Sequence, residues 1–122
     1  MKDACFCCVL QRCRASLRLS GAVYELPQLQ WTQTAYYQPV TMPYDRYFFN
    51  ETSGDYTVDR WLDSLDETYG GIQAAVLWAG YTNMGADDRD QFEMLETLPG
   101  GVAGLRRAID AMHARGVKAL LP

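Results

Sequence analysis

Past residue 13 the sequence contains no cysteine, and His113 is its only histidine. No disulfide framework can therefore hold the body of the chain. His113 also lacks a second histidine or a body thiol with which to build a zinc centre or a nucleophile–base pair. No apolar run reaches the roughly 18 residues of a membrane span. Neither G-x-G-x-x-G nor G-x-x-x-x-G-K-S/T occurs, so no dinucleotide or P-loop phosphate turn is indicated. Basic charge is scarce where nucleic acid would need it. Residues 1–18 carry four basic residues (Lys2, Arg12, Arg14, Arg18) against Asp3, net +3, whereas the remainder has 7 basic and 14 acidic residues, net −7. A body that acidic repels a phosphate backbone, which argues against a nucleic-acid partner. No cofactor, metal or membrane-spanning segment is expected.

The four cysteines, Cys5, Cys7, Cys8 and Cys13, all stand in the basic leader. Their C-x-C-C-x4-C order is not a zinc spacing. CFCCVL is too short for a secretory core and is followed by QRCRASLR rather than a cleavage site. Lipidation of cysteines beside basic residues is an alternative. Residues 1–26 are expected as a disordered tail, with residues 27–122 as the folded body and Pro27 near the boundary.

What is present is a β/α grammar. IQAAVLWA (72–79) and VKALL (117–121) are continuous apolar runs, as strands covered on both faces would be. Between them Val102, Leu105, Ile109 and Met112 recur at helical spacing, and Gly116 stands where a left-handed cap is expected. Upstream, LQWTQTAYYQPV (29–40) favours a strand that Pro39 should end. Residues 41–56 carry turn chemistry at Pro43, Asn50 and Ser53-Gly54-Asp55. Thr57 is a plausible N-cap for a helix whose apolar stripe is Val58, Trp61, Leu62, Leu65 and Tyr69 and which stops at Gly70-Gly71. Asp59, Asp63, Asp66 and Glu67 lie off that stripe and read as a solvated face, as do Arg106, Arg107 and Arg115 on the later helix.

The order β, α, β, long loop, α, β implies parallel α/β architecture with right-handed crossovers. The segments after the first two strands are long, about 17 residues after Val40 and about 20 after Ala79, while the returns at Gly70-Gly71 and Gly116 are tight. Long loops at strand C-termini fit a (β/α)8 barrel better than a doubly wound sheet. The expectation is a partial TIM-barrel-like fragment of about three parallel strands with two crossover helices. Standing alone, such a sheet would expose an edge through which it could self-associate.

Two stretches resemble α-galactosidase-like glycoside hydrolases of the (β/α)8 barrel superfamily, in an uncharacterised branch. They are residues 98–122, LPGGVAGLRRAIDAMHARGVKALLP, with a Pro-Gly-Gly turn, a Gly-Leu in the helix and Gly-Val-Lys opening the next strand, and residues 31–95. The resemblance implies a retaining hydrolase with two catalytic carboxylates on later strands. No catalytic residue can be carried onto this chain, so it is expected to be inactive alone. An acidic pair after the second strand binds sugar hydroxyls in such enzymes, and Asp87-Asp88 is the counterpart here, displaced beyond Gly80-Tyr81-Thr82-Asn83. Aromatics crowd residues 31–56 and offer flat faces for a sugar. The expected carbohydrate wall is Tyr36, Tyr44, Asp45, Tyr81, Asn83, Asp87 and Asp88. The competing expectation for the acidic loop is a turn that leads into a helix at Gln91. The competing expectation for the whole chain is a small non-enzymatic α/β binding or oligomerisation module.

Overall fold

The computed structural model describes residues 6–79 and 88–122. The chain divides into two compact units between Thr34 and Ala35. In the first unit, helix α1 (Phe6–Ser16) is followed by short 3-10 turns at Ala22–Glu25 and Pro27–Gln33. Cys7, Cys8 and Cys13 are exposed free thiols on α1.

The extended segment expected over residues 29–40 is not a strand along most of its length. Pro27 opens a helical turn, where its fixed φ is an asset. Side chains then satisfy nearby carbonyls: Thr32 Oγ1 donates to Leu29 at 2.7 Å, and Gln30 Nε2 donates to the Tyr24 carbonyl at 3.0 Å. Such local bonds compete with a sheet ladder. Strand β1 is confined to Val40–Thr41. Pro39 begins the pairing rather than ending it: it lacks an N–H, but its carbonyl accepts from Val76 N–H at 2.9 Å.

The second unit continues with β2 (Phe49–Asn50), β3 (Asp55–Tyr56), α2 (Val58–Tyr69), β4 (Ala74–Leu77), α3 (Gln91–Glu96), α4 (Gly101–Ala114) and β5 (Lys118–Leu120). Strands β1, β4 and β5 form a parallel sheet in that order, with Val40, Val76 and Leu120 side by side in one rung. The chain is thus mixed α/β with a three-stranded parallel sheet. A two-stranded antiparallel ribbon, β2–β3, turns over residues 51–54; it pairs Phe49 with Tyr56 and was not anticipated from the turn residues alone. Asn50 Oδ1 accepts Thr52 N–H at 2.9 Å, and Gly54 takes the positive φ the turn requires.

Alternation along β4 sends Ala75 and Leu77 to one side, where they join a core with Phe48, Val58, Trp61, Leu62, Leu105, Ala108 and Met112. That side is the one covered by α2 and α4. The stripe on α2 behaves as its spacing predicts at Val58, Trp61 and Leu62, whereas Tyr69 is exposed and packs against Tyr37 with ring centroids 5.1 Å apart. On α4 the buried face is Gly104, Leu105, Ala108 and Met112, and Val102 is exposed. Small residues let this helix approach its neighbours, so its packed stripe is rotated from the one marked by large apolar residues. Gly70 ends α2 in a left-handed conformation, with Gly70 N–H on Asp66 O and Gly71 N–H on Leu65 O.

The expected solvated faces are partly joined. Arg115, just after α4, reaches Asp59 (3.3 Å), Asp63 (3.0 Å) and Asp66 (2.9 Å) along one stripe of α2. Hydrogen bonds to Asp63 and Asp59 hold its guanidinium above the usual arginine range. The carboxylates are more than half exposed, so salt screens this network and its value lies in register more than in stability.

Candidate functional site

In a parallel sheet all the strand C-termini lie along one edge, so the segments after β1 and β4 leave from the same side. The segment after β1 carries Tyr44, Asp45 and Tyr47. Both tyrosines are about half exposed. The Arg60 guanidinium, one turn into α2, lies 4.9 Å from the centroid of the Tyr47 ring, a cation–π distance. Asp45 shapes the turn: its Oδ1 accepts Tyr47 N–H at 2.8 Å, and its carbonyl accepts the N–H groups of Phe48 (2.8 Å) and Phe49 (2.7 Å). A carboxylate so engaged anchors the loop that presents Tyr44 and Tyr47. Thr57 stands at the N-cap of α2 as expected, but its hydroxyl accepts no cap bond; it donates to the Tyr47 carbonyl at 2.8 Å and ties α2 to that same loop.

Tyr56 stands behind this loop. Its ring meets Phe48 and Phe49 edge-on at 5.5 Å. Its hydroxyl is buried and has no hydrogen-bond partner among the described residues. Burial, and then the neighbouring Tyr44 phenol, push its pKa up to about 12, so the group stays protonated at any physiological pH. Tyr56 also lines a groove of about 410 Å³ between the start of α2 and the first turns of α4, together with Arg60, Gly100, Gly104 and Arg107.

The expected wall is only partly assembled. Tyr44 and Asp45 are together on the strand-end side. Tyr36 is separated from them: it precedes β1 and is 88% exposed, and its neighbour Tyr37 touches Tyr69 at the C-terminal end of α2, which leads into the start of β4. Tyr36 therefore belongs to the opposite end of the sheet. Tyr81, Asn83 and Asp87 lie outside the described residues. Asp88 is exposed. Two residues on, Asp90 caps α3: its Oδ1 accepts Glu93 N–H at 2.9 Å, and Glu93 Oε2 accepts Asp90 N–H at 3.0 Å. This capping box is worth about 0.5–2 kcal/mol and accounts for Asp90 as helix chemistry. Arg89 Nη1 donates to Thr97 Oγ1 at 3.0 Å, across the same short helix.

Three contributors were not singled out from the sequence. Tyr56 was one aromatic among many, Arg107 stood on a helix face that read as solvated, and Arg60 was given no reading. Only packing shows which phenol loses its water and which arginines border a groove. Among the described residues no group of three or more His, Cys, Asp or Glu is placed to hold a metal ion, and no helix is long and apolar enough to cross a membrane. No protein-family model, curated protein or solved structure matches this chain.

Proposed function

We propose that this chain is a carbohydrate-binding β/α wall of the (β/α)8 glycoside-hydrolase type, with its strand-end face contacting sugar and without a catalytic carboxylate pair of its own. The observation that carries this reading is the exposed pair Tyr44 and Tyr47, held by Asp45 at the C-terminal side of a parallel sheet. That is where β/α folds place ligands, and half-exposed phenols supply both a flat apolar face and a polar tip. Asp88 and, from the undescribed stretch, Tyr81, Asn83 and Asp87 complete the proposed wall. The carboxylates of Asp45, Asp59, Asp63, Asp66 and Asp90 are engaged in turns, ion pairs or a cap, which leaves none of them as a poised acid or nucleophile.

Titrating the chain with neutral oligosaccharides, followed by amide NMR, tests this. Binding should perturb residues 42–48, and Tyr47→Ala should weaken it by about 3- to 10-fold, the value of one aromatic contact. Aryl glycosides should turn over no faster than in buffer. Robust hydrolysis abolished by Asp88→Ala would refute the non-catalytic part of the proposal.

A second reading, a self-associating α/β module, is favoured by one feature. The rung Val40–Val76–Leu120 lies on the sheet side opposite Ala75 and Leu77; Val40 is 61% exposed, and among the described residues β1 and β5 each pair on one side only. If the module reading holds, light scattering will show a defined oligomer that Val40→Lys converts to monomer. A monodisperse monomer at all concentrations rules it out.

A further inference from the structure

Every residue from 7 to 20 is exposed, yet helix α1 has two unlike faces. Val9, Cys13 and Leu17 recur every four residues with Leu10 beside them, which makes one apolar stripe. Leu17 belongs to it because its N–H still donates to the Cys13 carbonyl, at 3.0 Å, as a helical residue does. Val9 and Leu10 are each 46% exposed and Leu17 is 67% exposed. Arg14 flanks the stripe on one side and Arg12 on the other. Arg18, left-handed at φ 52°, ends the helix, with Leu19 N–H on the Arg14 carbonyl at 2.9 Å. Cys8, Gln11 and Ala15 fall on the opposite face. Residues 4–24 include no acidic residue. At 11 residues α1 is below the roughly 12–15 under which an isolated helix is marginal in water, so it gains by burying its stripe.

We propose that α1 lies in the headgroup–acyl boundary of an anionic lipid bilayer. The stripe enters the apolar layer. Arg12, Arg14 and Arg18 reach the headgroup phosphates and carboxylates, with their stems along the boundary. At about 1.5 Å per residue the helix is about 16 Å long against a hydrocarbon core of about 30 Å, so it lies on the membrane and does not span it. Charge selects anionic lipid. Each arginine close to such a surface adds to binding, while salt screens the acids of the body beyond about 8 Å. The stripe selects a bilayer over nucleic acid, which offers phosphates without an apolar layer. The inference is independent of the carbohydrate reading, and sugar binding at residues 42–48 stands or falls separately.

The test is co-sedimentation of the full chain with vesicles of phosphatidylcholine alone and of phosphatidylcholine with phosphatidylserine at about 2:1. The chain should bind the mixed vesicles at least about 10-fold more tightly, and about 1 M salt should weaken that binding. Replacing Arg12 and Arg14 together by glutamine should cost about 10- to 30-fold, and Leu10→Gln about 10-fold. Neither change should move the thermal midpoint of the unit Ala35–Pro122. The cysteines report depth. In forms that keep only Cys13 or only Cys8, the other cysteines being serine, an anionic maleimide should reach either thiol in water, since both are exposed. Mixed vesicles should slow Cys13 about 10-fold more than Cys8, because only Cys13 lies in the stripe. The negative surface repels the reagent from both thiols, so their ratio reads burial. Binding that slows the two thiols alike would mean attachment by charge alone and would overturn the interfacial helix. Failure to sediment with the mixed vesicles would overturn it outright. So would a Cys13 already shielded without lipid, which would mean that the body or a second copy covers the stripe.

Discussion

Replacing Phe48 with alanine is expected to lower the melting temperature of the unit Ala35–Pro122 by at least about 12 °C. Phe48 is completely buried, and its ring meets Tyr56 at 5.5 Å and Trp61 edge-on at 5.2 Å. It joins the loop after β1, the ribbon β2–β3 and helix α2 in one contact set. A Phe→Ala change in such a place costs about 3–5 kcal/mol from lost transfer and residual cavity. For a domain of this size each kcal/mol moves the midpoint by about 4–8 °C. Total stability at about 0.05–0.15 kcal/mol per residue is of order 4–13 kcal/mol, so this one ring can account for a third or more of it. Near-ultraviolet circular dichroism through a thermal ramp measures the change. A midpoint shift of only a few degrees would mean that the loop presenting Tyr44 and Tyr47 is not anchored through Phe48. Leu77 and Met112 are as deeply buried, but they pack within the sheet–helix layer. Phe48 is the buried ring that couples that layer to the proposed binding loop.

The second large effect comes from adding a single methyl group. Gly104→Ala is expected to destabilise the same unit by up to about 2 kcal/mol, even though alanine is the better helix former. Helix propensity alone favours alanine over glycine by about 1 kcal/mol. Against that, a Cβ at Gly104 would lie 2.5 Å from the Pro99 carbonyl oxygen and 3.4 Å from its carbonyl carbon. These are backbone atoms of a tight turn, closed by Gly101 N–H on Leu98 O at 2.7 Å, and they cannot rotate away like a side-chain tip. Overpacking of this kind typically costs about 1–3 kcal/mol, so the clash outweighs the propensity gain. The same methyl would also sit 3.7 Å from the Tyr56 ring and crowd the groove floor. Denaturant titration reads the stability change. An unchanged or raised midpoint would show that α4 does not approach Pro99 as closely as described.

How legible this molecule was depends on the element. Helix α2 could be placed to the residue because Val58, Trp61, Leu62 and Leu65 are large, apolar and in phase, with Gly70-Gly71 closing the pattern. Strand β4 sits inside its apolar run, and the parallel order follows from β/α alternation. The helix after Gly100 was visible too, but not the face it buries, because Gly104 and Ala108 carry no hydrophobic signal and matter only when another element comes close. Strand β1 was misplaced because Trp, Thr and Tyr favour a pleated surface in general, while in residues 27–33 local hydrogen bonds from Thr32 and Gln30 hold helical turns instead. Of the expected carbohydrate wall, Tyr44 and Asp45 fall together; Tyr36, counted with them by composition, lies before its strand rather than after it.

The chain's own chemistry determined its alternation of strands and helices, its caps at Gly70 and Gly116, and an acidic body with no cysteine and a single histidine. All of these are written in local spacing and residue type. Tertiary packing alone decided that Arg115 gathers three aspartates from another helix, that Tyr36 and Tyr44 part to opposite ends of the sheet, and that the Tyr56 hydroxyl loses its water. Those outcomes depend on which distant residues meet, and burial and pairing have no period along the sequence from which to read them.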